Sequence, residues 1–179
     1  MSFRATAAET KGVVTYDNIS IGAGASFYAP LINPTDSSNY IVLNDMNDIY
    51  YSLNAGESWG RSETMTNFCH ACFSDDGILY VGGACLYAST DKGQTITSIY
   101  PREEDVQAIS SRNGRNNVVF MAEGHDGGYI TCMDTLGDRV YFITLDWTTE
   151  RTFQLLSCKS DGTDLVRHMV RETYMSASP

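Results

Sequence analysis

The sequence predicts an all-β protein made of many short strands joined by tight turns. Helical periodicity is almost absent from its 179 residues, and short apolar or alternating runs recur instead, separated by Gly, Asp, Asn or Ser. Tyr (11), Phe (7) and Gly (15) are plentiful and Pro (4) is scarce, a composition that suits strands and turns. No shift in composition divides the chain, so we expect residues 1–179 to form one domain.

The apolar runs define the predicted strands in chain order. They are Val13–Ile19, Ser26–Ile32, Tyr40–Asn44, Ile49–Leu53, Phe68–Phe73, Ile78–Val81, Leu86–Ser89, Val106–Ile109, Val118–Ala122, Tyr129–Met133, Val140–Leu145 and Phe153–Ser157. Asn33–Asp36 is a strong turn signal, as is Ser74–Gly77. The best helix candidate, Asp164–Glu172, is short, and we interpret it as a closing strand.

A turn motif is repeated along the chain. Residues 52–59 (SLNAGESW) fit the Asp-box pattern S-x-[DN]-x-G-x-[ST]-W at every defined position, and residues 89–96 depart from it only in Ile96. Residues 157–164 are at best a degenerate third copy. The first two copies start at residues 52 and 89, 37 residues apart, close to the roughly 40–50-residue repeat of four-stranded propeller blades. The sequence therefore predicts a partial or small β-propeller of about four antiparallel blades with Asp-box hairpins.

The chemistry of this motif is structural. Its Asn or Asp side chain can accept hydrogen bonds from the N–H groups of the turn, and its glycine supplies the positive φ that a tight turn needs. Its hydroxyls can link the two strand ends, and a Trp can fold under the turn. The residues to which we assign this structural role are Ser52, Asn54, Gly56, Trp59, Ser89, Asp91 and Gly93.

Charge and composition exclude several classes of partner. Twelve Lys and Arg against 22 Asp and Glu give a formal net charge of −10, which disfavours nucleic acid and anionic membrane. The N-terminus lacks the apolar stretch of a signal peptide. The five cysteines are an odd number in a chain that can form its own core, so we interpret most of them as reduced, buried residues. Cys69 and Cys72 flank His70, but no second Cys/His pair stands at zinc spacing, which favours structural cysteines. We expect no metal and no organic cofactor.

A longer segment carries a resemblance to a family. Residues 19–36 (ISIGAGASFYAPLINPTD) and 40–46 (YIVLNDM), followed by residues 52–59, resemble the N-terminal part of xyloglucanase-type (family seventy-four) glycoside hydrolases. In that family a Gly-rich turn precedes a strand ending in H-P-T-D, and the next strand ends in a catalytic Asp. The resemblance places Asp45 on this catalytic Asp and Tyr50 on an aromatic residue that follows it. Asn47 and Asp48 stand where the family has two glycines.

Asp45 is accordingly the candidate general base. Hydrolysis of a glycosidic bond needs two carboxyl groups, about 5–5.5 Å apart for retention or about 6.5–9.5 Å apart for inversion. The family's proton donor lies in a second propeller, and no acid partner is identifiable in this chain. Asp48 is a weaker candidate that could assist Asp45, with a solvated turn residue as the alternative; Asp45 itself could be a plain turn aspartate.

The remaining candidates are substrate-binding residues. Phe27 and Tyr28 follow the Gly-rich turn and could stack on a sugar, although alternation points them to opposite faces of their strand. The residues predicted to bind substrate are Phe27, Tyr28, Asn47, Tyr50 and His125. His125 belongs to the polar loop 123–128, for which a plain surface loop is the alternative.

These observations predict a carbohydrate-active propeller, similar to a glycoside hydrolase, that acts on or binds a plant or bacterial poly- or oligosaccharide. The alternative is a non-catalytic propeller module that binds glycan or protein in a larger extracellular or virion assembly. The resemblance favours an extracellular or periplasmic location. Strand edges left open by an incomplete ring predict self-association or pairing with a second propeller half.

Overall fold

The computed structural model describes residues 27–44, 48–63, 70–83, 85–101, 106–110, 118–122, 129–145 and 152–172. Every regular element in these ranges is a β-strand. The strands are β1 (Phe27–Asn33), β2 (Asp36–Asn44), β3 (Asp48–Ser52), β4 (Gly60–Glu63), β5 (His70–Phe73), β6 (Leu79–Gly82), β7 (Leu86–Ser89), β8 (Thr97–Tyr100), β9 (Val106–Ser110), β10 (Val118–Ala122), β11 (Tyr129–Leu136), β12 (Arg139–Leu145), β13 (Thr152–Lys159) and β14 (Val166–Glu172). The predicted strand Val13–Ile19 lies outside the described residues.

The strands form three four-stranded antiparallel sheets and one two-stranded ladder. The first sheet contains β1–β4, the second β5–β8 and the third β11–β14, each in chain order, while β9 pairs with β10. This order of consecutive antiparallel strands is that of a propeller blade. The predicted all-β class and four-stranded sheets are confirmed, and Asp164–Glu172 is a strand for most of its length, as expected. Two strands, β4 and β8, were not predicted.

The second sheet lies between the first and the third, and each of its faces packs against a neighbour. Alternation along β6 and β7 divides the buried side chains between two core clusters. The cluster shared with the first sheet includes Ile41, Leu43, Ile49, Leu79, Val81 and Tyr87. The cluster shared with the third sheet includes Tyr80, Leu86, Ile130, Phe142 and Leu156. Burial of each such apolar side chain stabilises the stack by about 1.5–3 kcal/mol.

Two turns, residues 52–59 and 89–96, have the same hydrogen-bond pattern. In the 52–59 turn the Ser52 hydroxyl accepts from the N–H of Gly56 at 2.8 Å and donates to Oδ1 of Asn54 at 2.9 Å. Oδ1 of Asn54 in turn accepts from the N–H of Ser58 at 2.9 Å. The glycine has φ +92°, a conformation that costs an L-residue strain. Trp59 ends the turn half-buried, with no hydrogen-bond partner for its Nε1 among the described residues.

The 89–96 turn repeats these contacts with a carboxylate in place of the amide. Ser89 accepts from the N–H of Gly93 at 2.9 Å and donates to Asp91 at 2.8 Å. Asp91 accepts from the N–H of Thr95 at 2.8 Å and from its hydroxyl at 2.7 Å. Gly93 has φ +89°. The two turns therefore close by the same side-chain chemistry, at the corresponding places between the third and fourth strands of their sheets.

The 89–96 turn also fastens the second sheet to the first. Nδ2 of Asn39, a residue with no exposed surface, donates to the carbonyl of Ser52 at 3.0 Å and to that of Lys92 at 3.1 Å. The Ser62 hydroxyl donates to the carbonyl of Gly93 at 2.8 Å. Nζ of Lys92 lies 2.6 Å from Asp36 and holds the pKa of that carboxyl far below its ordinary value. The turn thus bridges two sheets through both buried and exposed contacts.

The suggested third copy of the motif is a different turn. Lys159 donates its N–H to the carbonyl of Thr163, and Gly162 donates to that of Lys159, both at 2.9 Å. The Ser74–Ile78 turn has the same two bonds. The hydroxyl of Ser157 does not close this turn; it accepts from Nε of Arg139 at 3.0 Å and lies 2.8 Å from Nε2 of His168. Within the described residues, the hydrogen-bond pattern of the 52–59 turn is therefore shared by the 89–96 turn and not by residues 157–164.

The carboxylate in the 89–96 turn is expected to make that turn sensitive to acid. Burial raises the pKa of Asp91, but hydrogen bonds from Thr95 and Ser89 outweigh this effect and leave the pKa below 3.8. The stability that this depressed pKa contributes is present above pH 3.8 and is lost as the pH falls through the folded-state pKa. We expect Asp91→Asn to reduce the acid-dependent loss of stability, measured by urea unfolding between pH 7 and pH 3.

The 52–59 turn provides the matched control for this prediction. Asn54→Asp introduces a carboxylate at the corresponding position and should increase the acid-dependent loss by the same mechanism. If the two variants unfold with the pH dependence of the unchanged protein, the carboxylate of the turn does not contribute as described.

Four cysteines lie in the described residues, and all four are free thiols. Cys85 and Cys158 are buried and Cys72 is half-buried, as expected, whereas Cys132 is exposed on β11. Burial raises the pKa of Cys72 to about 12 and that of Cys158 to about 11. Both thiols are therefore protonated and unreactive at neutral pH. Cys69 lies outside the described residues.

Candidate functional site

The described candidates Phe27, Asp48 and Tyr50 lie toward the end of the first sheet that is opposite the 52–59 turn. Consecutive antiparallel strands place the β1–β2 and β3–β4 connections at one end and the β2–β3 link, residues 45–47, at the other. We call this second end the link end. Asp45 and Asn47 lie in the link, outside the described residues. The flanking residues Asn44 and Asp48 are described, and so is Phe27, which pairs with Asn44.

Asn44 and Asp48 hold the two ends of the link together. Oδ1 of Asn44 accepts from the backbone N–H of Asp48 at 3.1 Å, and Nδ2 of Asn44 donates to Oδ2 of Asp48 at 3.3 Å. Asn44 is 1% exposed and Asp48 is 8% exposed. The alternative of a solvated turn residue is therefore wrong for Asp48, because it is the first residue of β3 and is buried. The pair holds the last residue of β2 against the first residue of β3.

The Asp48 carboxylate has two further neighbours. The Tyr50 hydroxyl lies 3.5 Å from Oδ2, and Nη1 of Arg61 lies 3.8 Å from Oδ1. The Arg61 side chain is 53% exposed and that of Asp48 only 12%. A long ion pair with one exposed partner contributes at most about 1 kcal/mol. These contacts hold the Asp48 carboxylate in a fixed position within the sheet. The Arg61 guanidinium lies beside it and faces solvent.

An aromatic pair lies next to this polar cluster. The rings of Phe27 and Tyr50 meet edge to face, with centroids 5.8 Å apart and an angle of 77°. Phe27 is 40% exposed, whereas Tyr50 is 9% exposed. The exposed ring is held by the buried one, an arrangement favoured by the quadrupoles of the two rings. Tyr50 contacts little solvent, and of Tyr28 only the backbone, within β1, is described.

In each sheet the end that carries the connection between the second and third strands corresponds to the link end of the first sheet. These three ends lie at the same side of the stack. The N–H of Ile130, near the start of β11, donates to the carbonyl of Gly83, in the link between β6 and β7, at 2.8 Å. At the opposite side the Thr135 hydroxyl donates to the carbonyl of Phe73 at 3.3 Å. The polar loop 123–128 with His125 directly precedes β11 but lies outside the described residues, so its role stays a prediction.

Two features of this cluster were not predicted. Arg61 lies in β4, a short polar strand that has no apolar alternation to indicate it. Asn44 was predicted as the end of a strand. Its hydrogen bond to Asp48 joins two strands across the link, and the periodicity of the sequence does not indicate such a bond. An Asn and an Asp placed four residues apart around a predicted link could have suggested such a closure.

Within the described ranges, no group of three or more His, Cys, Asp and Glu side chains is arranged to hold a metal ion. The same ranges contain no helix long and apolar enough to cross a membrane.

Comparison with known proteins gives a structural likeness. No protein-family model matches the sequence, and no curated protein matches it. Among solved structures, YCF48 from Cyanidioschyzon merolae is similar with a TM-score of 0.53 and 13% sequence identity. The match covers 83% of this chain and 38% of that chain, so this chain spans well under half the length of its neighbour. At this identity the likeness shows the fold alone. Together with the three four-stranded antiparallel sheets, it shows that the chain has a β-propeller fold.

Proposed function

We propose that residues 1–179 form a carbohydrate-binding β-propeller module whose ligand face is the link end of the first sheet. The observation that carries the proposal is the Asn44–Asp48 closure beside the exposed ring of Phe27. Saccharides are recognised by an apolar ring surface together with a few fixed polar groups. Phe27 supplies the first and the guanidinium of Arg61 supplies exposed donors. Asp45 and Asn47 lie between the two closure residues in the sequence.

The assignment of the 52–59 and 89–96 turns as Asp-boxes is part of the proposal. Their shared hydrogen bonds support it, as does the docking of the second turn on the first sheet. In this proposal the boxes hold the blades together at one side, and the opposite side binds ligand.

The resemblance to xyloglucanase-type hydrolases makes poly- or oligosaccharides of the β-glucan class the proposed ligands. Hydrolysis with Asp45 as general base would need a second carboxyl group within about 10 Å. Asp48 is the carboxylate closest to Asp45 in the sequence, and its oxygens already face Asn44, Tyr50 and Arg61. A carboxylate held in this way supports a positioning role. We therefore propose binding without turnover.

The test is binding of xyloglucan and β-glucan oligosaccharides by isothermal titration calorimetry, combined with an assay for released reducing ends. We expect saturable binding, no hydrolysis, and an affinity about tenfold weaker for Phe27→Ala, because the exposed ring is lost. Ile32→Ala is the matched control. Ile32 lies on the same strand and is 61% exposed, but it is near the opposite end.

Other outcomes would change the conclusion. Reducing ends released by the unchanged protein but not by Asp45→Asn would establish the hydrolase. Absence of binding by the unchanged protein, or equal loss in both alanine variants, would contradict the proposed ligand face.

A further inference from the structure

A groove of about 330 Å³ separates the second sheet from the turn between β13 and β14. Its apolar floor is formed by Ile78, Ala88 and Ile99 of the second sheet. It lies at the side of the stack where the 52–59 and 89–96 turns are found, opposite the link end. The groove is therefore separate from the site described above, and its ligand does not depend on the function proposed there.

The groove exists because the two sheet junctions are closed differently. Between the first and second sheets, the 89–96 turn fills the space, with bonds from Asn39 and Ser62 to its carbonyls. Between the second and third sheets, the connection is residues 160–165, one residue shorter than the 53–59 connection. It meets the second sheet at Gly162, where an added Cβ would lie 2.0 Å from the carbonyl oxygen of Ile99. The 160–165 connection contacts the second sheet at Gly162 and leaves the groove open beside that contact.

The walls of the groove offer mainly hydrogen-bond acceptors. The Thr95 hydroxyl donates its proton to Asp91, so only its lone pairs remain for a ligand. The buried Ser89 hydroxyl donates to Asp91 and already accepts from the N–H of Gly93. Asp161 accepts from the N–H and the hydroxyl of Thr163 through Oδ1, at 2.9 and 2.6 Å. These bonds hold the pKa of Asp161 below its ordinary value, so its carboxylate is ionised at neutral pH.

Three exposed residues with hydroxyl groups, Thr90, Thr97 and Ser160, complete the polar lining, and a hydroxyl can both donate and accept. An acceptor-rich wall above an apolar floor selects a ligand that has many donors and an apolar surface. The Asp161 carboxylate excludes anions. We propose that this groove binds a small neutral saccharide, with Asp161 and Thr97 accepting from its hydroxyls and Ile99 packing against its ring.

The proposal can be tested by titrating the protein with cellobiose while observing its methyl groups by NMR. The methyls of Ile78, Ala88 and Ile99 report occupancy of the groove, whatever happens at the link end. We expect saturable shifts of these signals. Asp161→Asn keeps the Oδ1 acceptor of the turn and removes the charge, and it should weaken binding about tenfold because bonds to a charged group are the stronger ones. Thr97→Val, of similar shape, should weaken it less.

Phe27→Ala is the control and should leave the groove signals and their affinity unchanged, since Phe27 lies at the link end. Absence of shifts at the three methyls would overturn the proposal. Shifts produced by glucosamine but not by cellobiose would overturn it too, because the groove would then be a site for a protonated amine. Failure of the link-end binding experiment leaves this result unaffected.

Discussion

Asn39→Asp is expected to lower the free energy of unfolding by about 3–5 kcal/mol. The two side chains have the same shape, so packing is unchanged, but Nδ2 is replaced by a carboxylate oxygen. That oxygen would face the carbonyls of Ser52 and Lys92, which now accept from Asn39 at 3.0 and 3.1 Å. Asn39 has no exposed surface, so solvent cannot replace the lost donor. Urea unfolding followed by circular dichroism measures the change.

The pH dependence of this variant gives a second readout. Burial without a donor raises the folded-state pKa of the new carboxyl. The variant should therefore be closest to the unchanged protein at low pH, where the carboxyl is protonated and can donate, and should lose stability as the pH rises. Ser37→Ala, an exposed position on the same strand, should change stability by less than about 0.5 kcal/mol. A loss for Asn39→Asp as small as this would refute the bridging role.

Gly162→Ala is expected to cost about 2–4 kcal/mol, from two sources. Gly162 has φ +81°, which an L-residue adopts only with strain. The added Cβ would also lie 2.0 Å from the carbonyl oxygen of Ile99 and 2.8 Å from its carbonyl carbon. Backbone cannot give way as a side-chain end can, so the turn must move off β8 and weaken the contact between the second and third sheets.

Gly137 separates the two sources. It has φ +61° and nothing within 4 Å of an added Cβ. Gly137→Ala should therefore cost only the conformational term, about 1 kcal/mol. Thermal and urea unfolding of both variants give the comparison. Equal losses would show that the turn at Gly162 is not seated against β8 as described.

The sequence predicted the strands that carry the core. β6 and β7 pack against a neighbouring sheet on both faces and are nearly continuous apolar runs, whereas β2 and β3 share one core cluster with the second sheet. β4 and β8 were not predicted because each is a short outermost strand that is partly exposed. Packing therefore does not require an apolar pattern in their sequences. Residues 157–164 do not form the turn found at 52–59 and 89–96, because Lys159 stands where those turns have Asn54 and Asp91 and because the glycine comes one residue later.

The candidate site was less predictable than the fold. The position of Asp48 at the start of a strand was within reach of the sequence, but its burial was not, since a charged residue beside a link normally faces water. Its partners come from three strands, through Asn44, Tyr50 and Arg61. Such a cluster depends on strand register, which alternation alone does not specify for polar residues.

The seating of each turn on an earlier sheet sets a direction for assembly during synthesis. Lys92 contacts Asn39, 53 residues before it, and Gly162 contacts Ile99. Domains emerge from the ribosome N-terminus first, at about 5–20 residues per second. Each sheet therefore leaves the ribosome after the sheet against which its turn packs has been synthesised. Stacked sheets of this kind gain stability from contacts between nearest neighbours. A destabilising change in the third sheet therefore leaves the first and second sheets packed together. The same change in the first sheet removes the surface against which the second sheet packs.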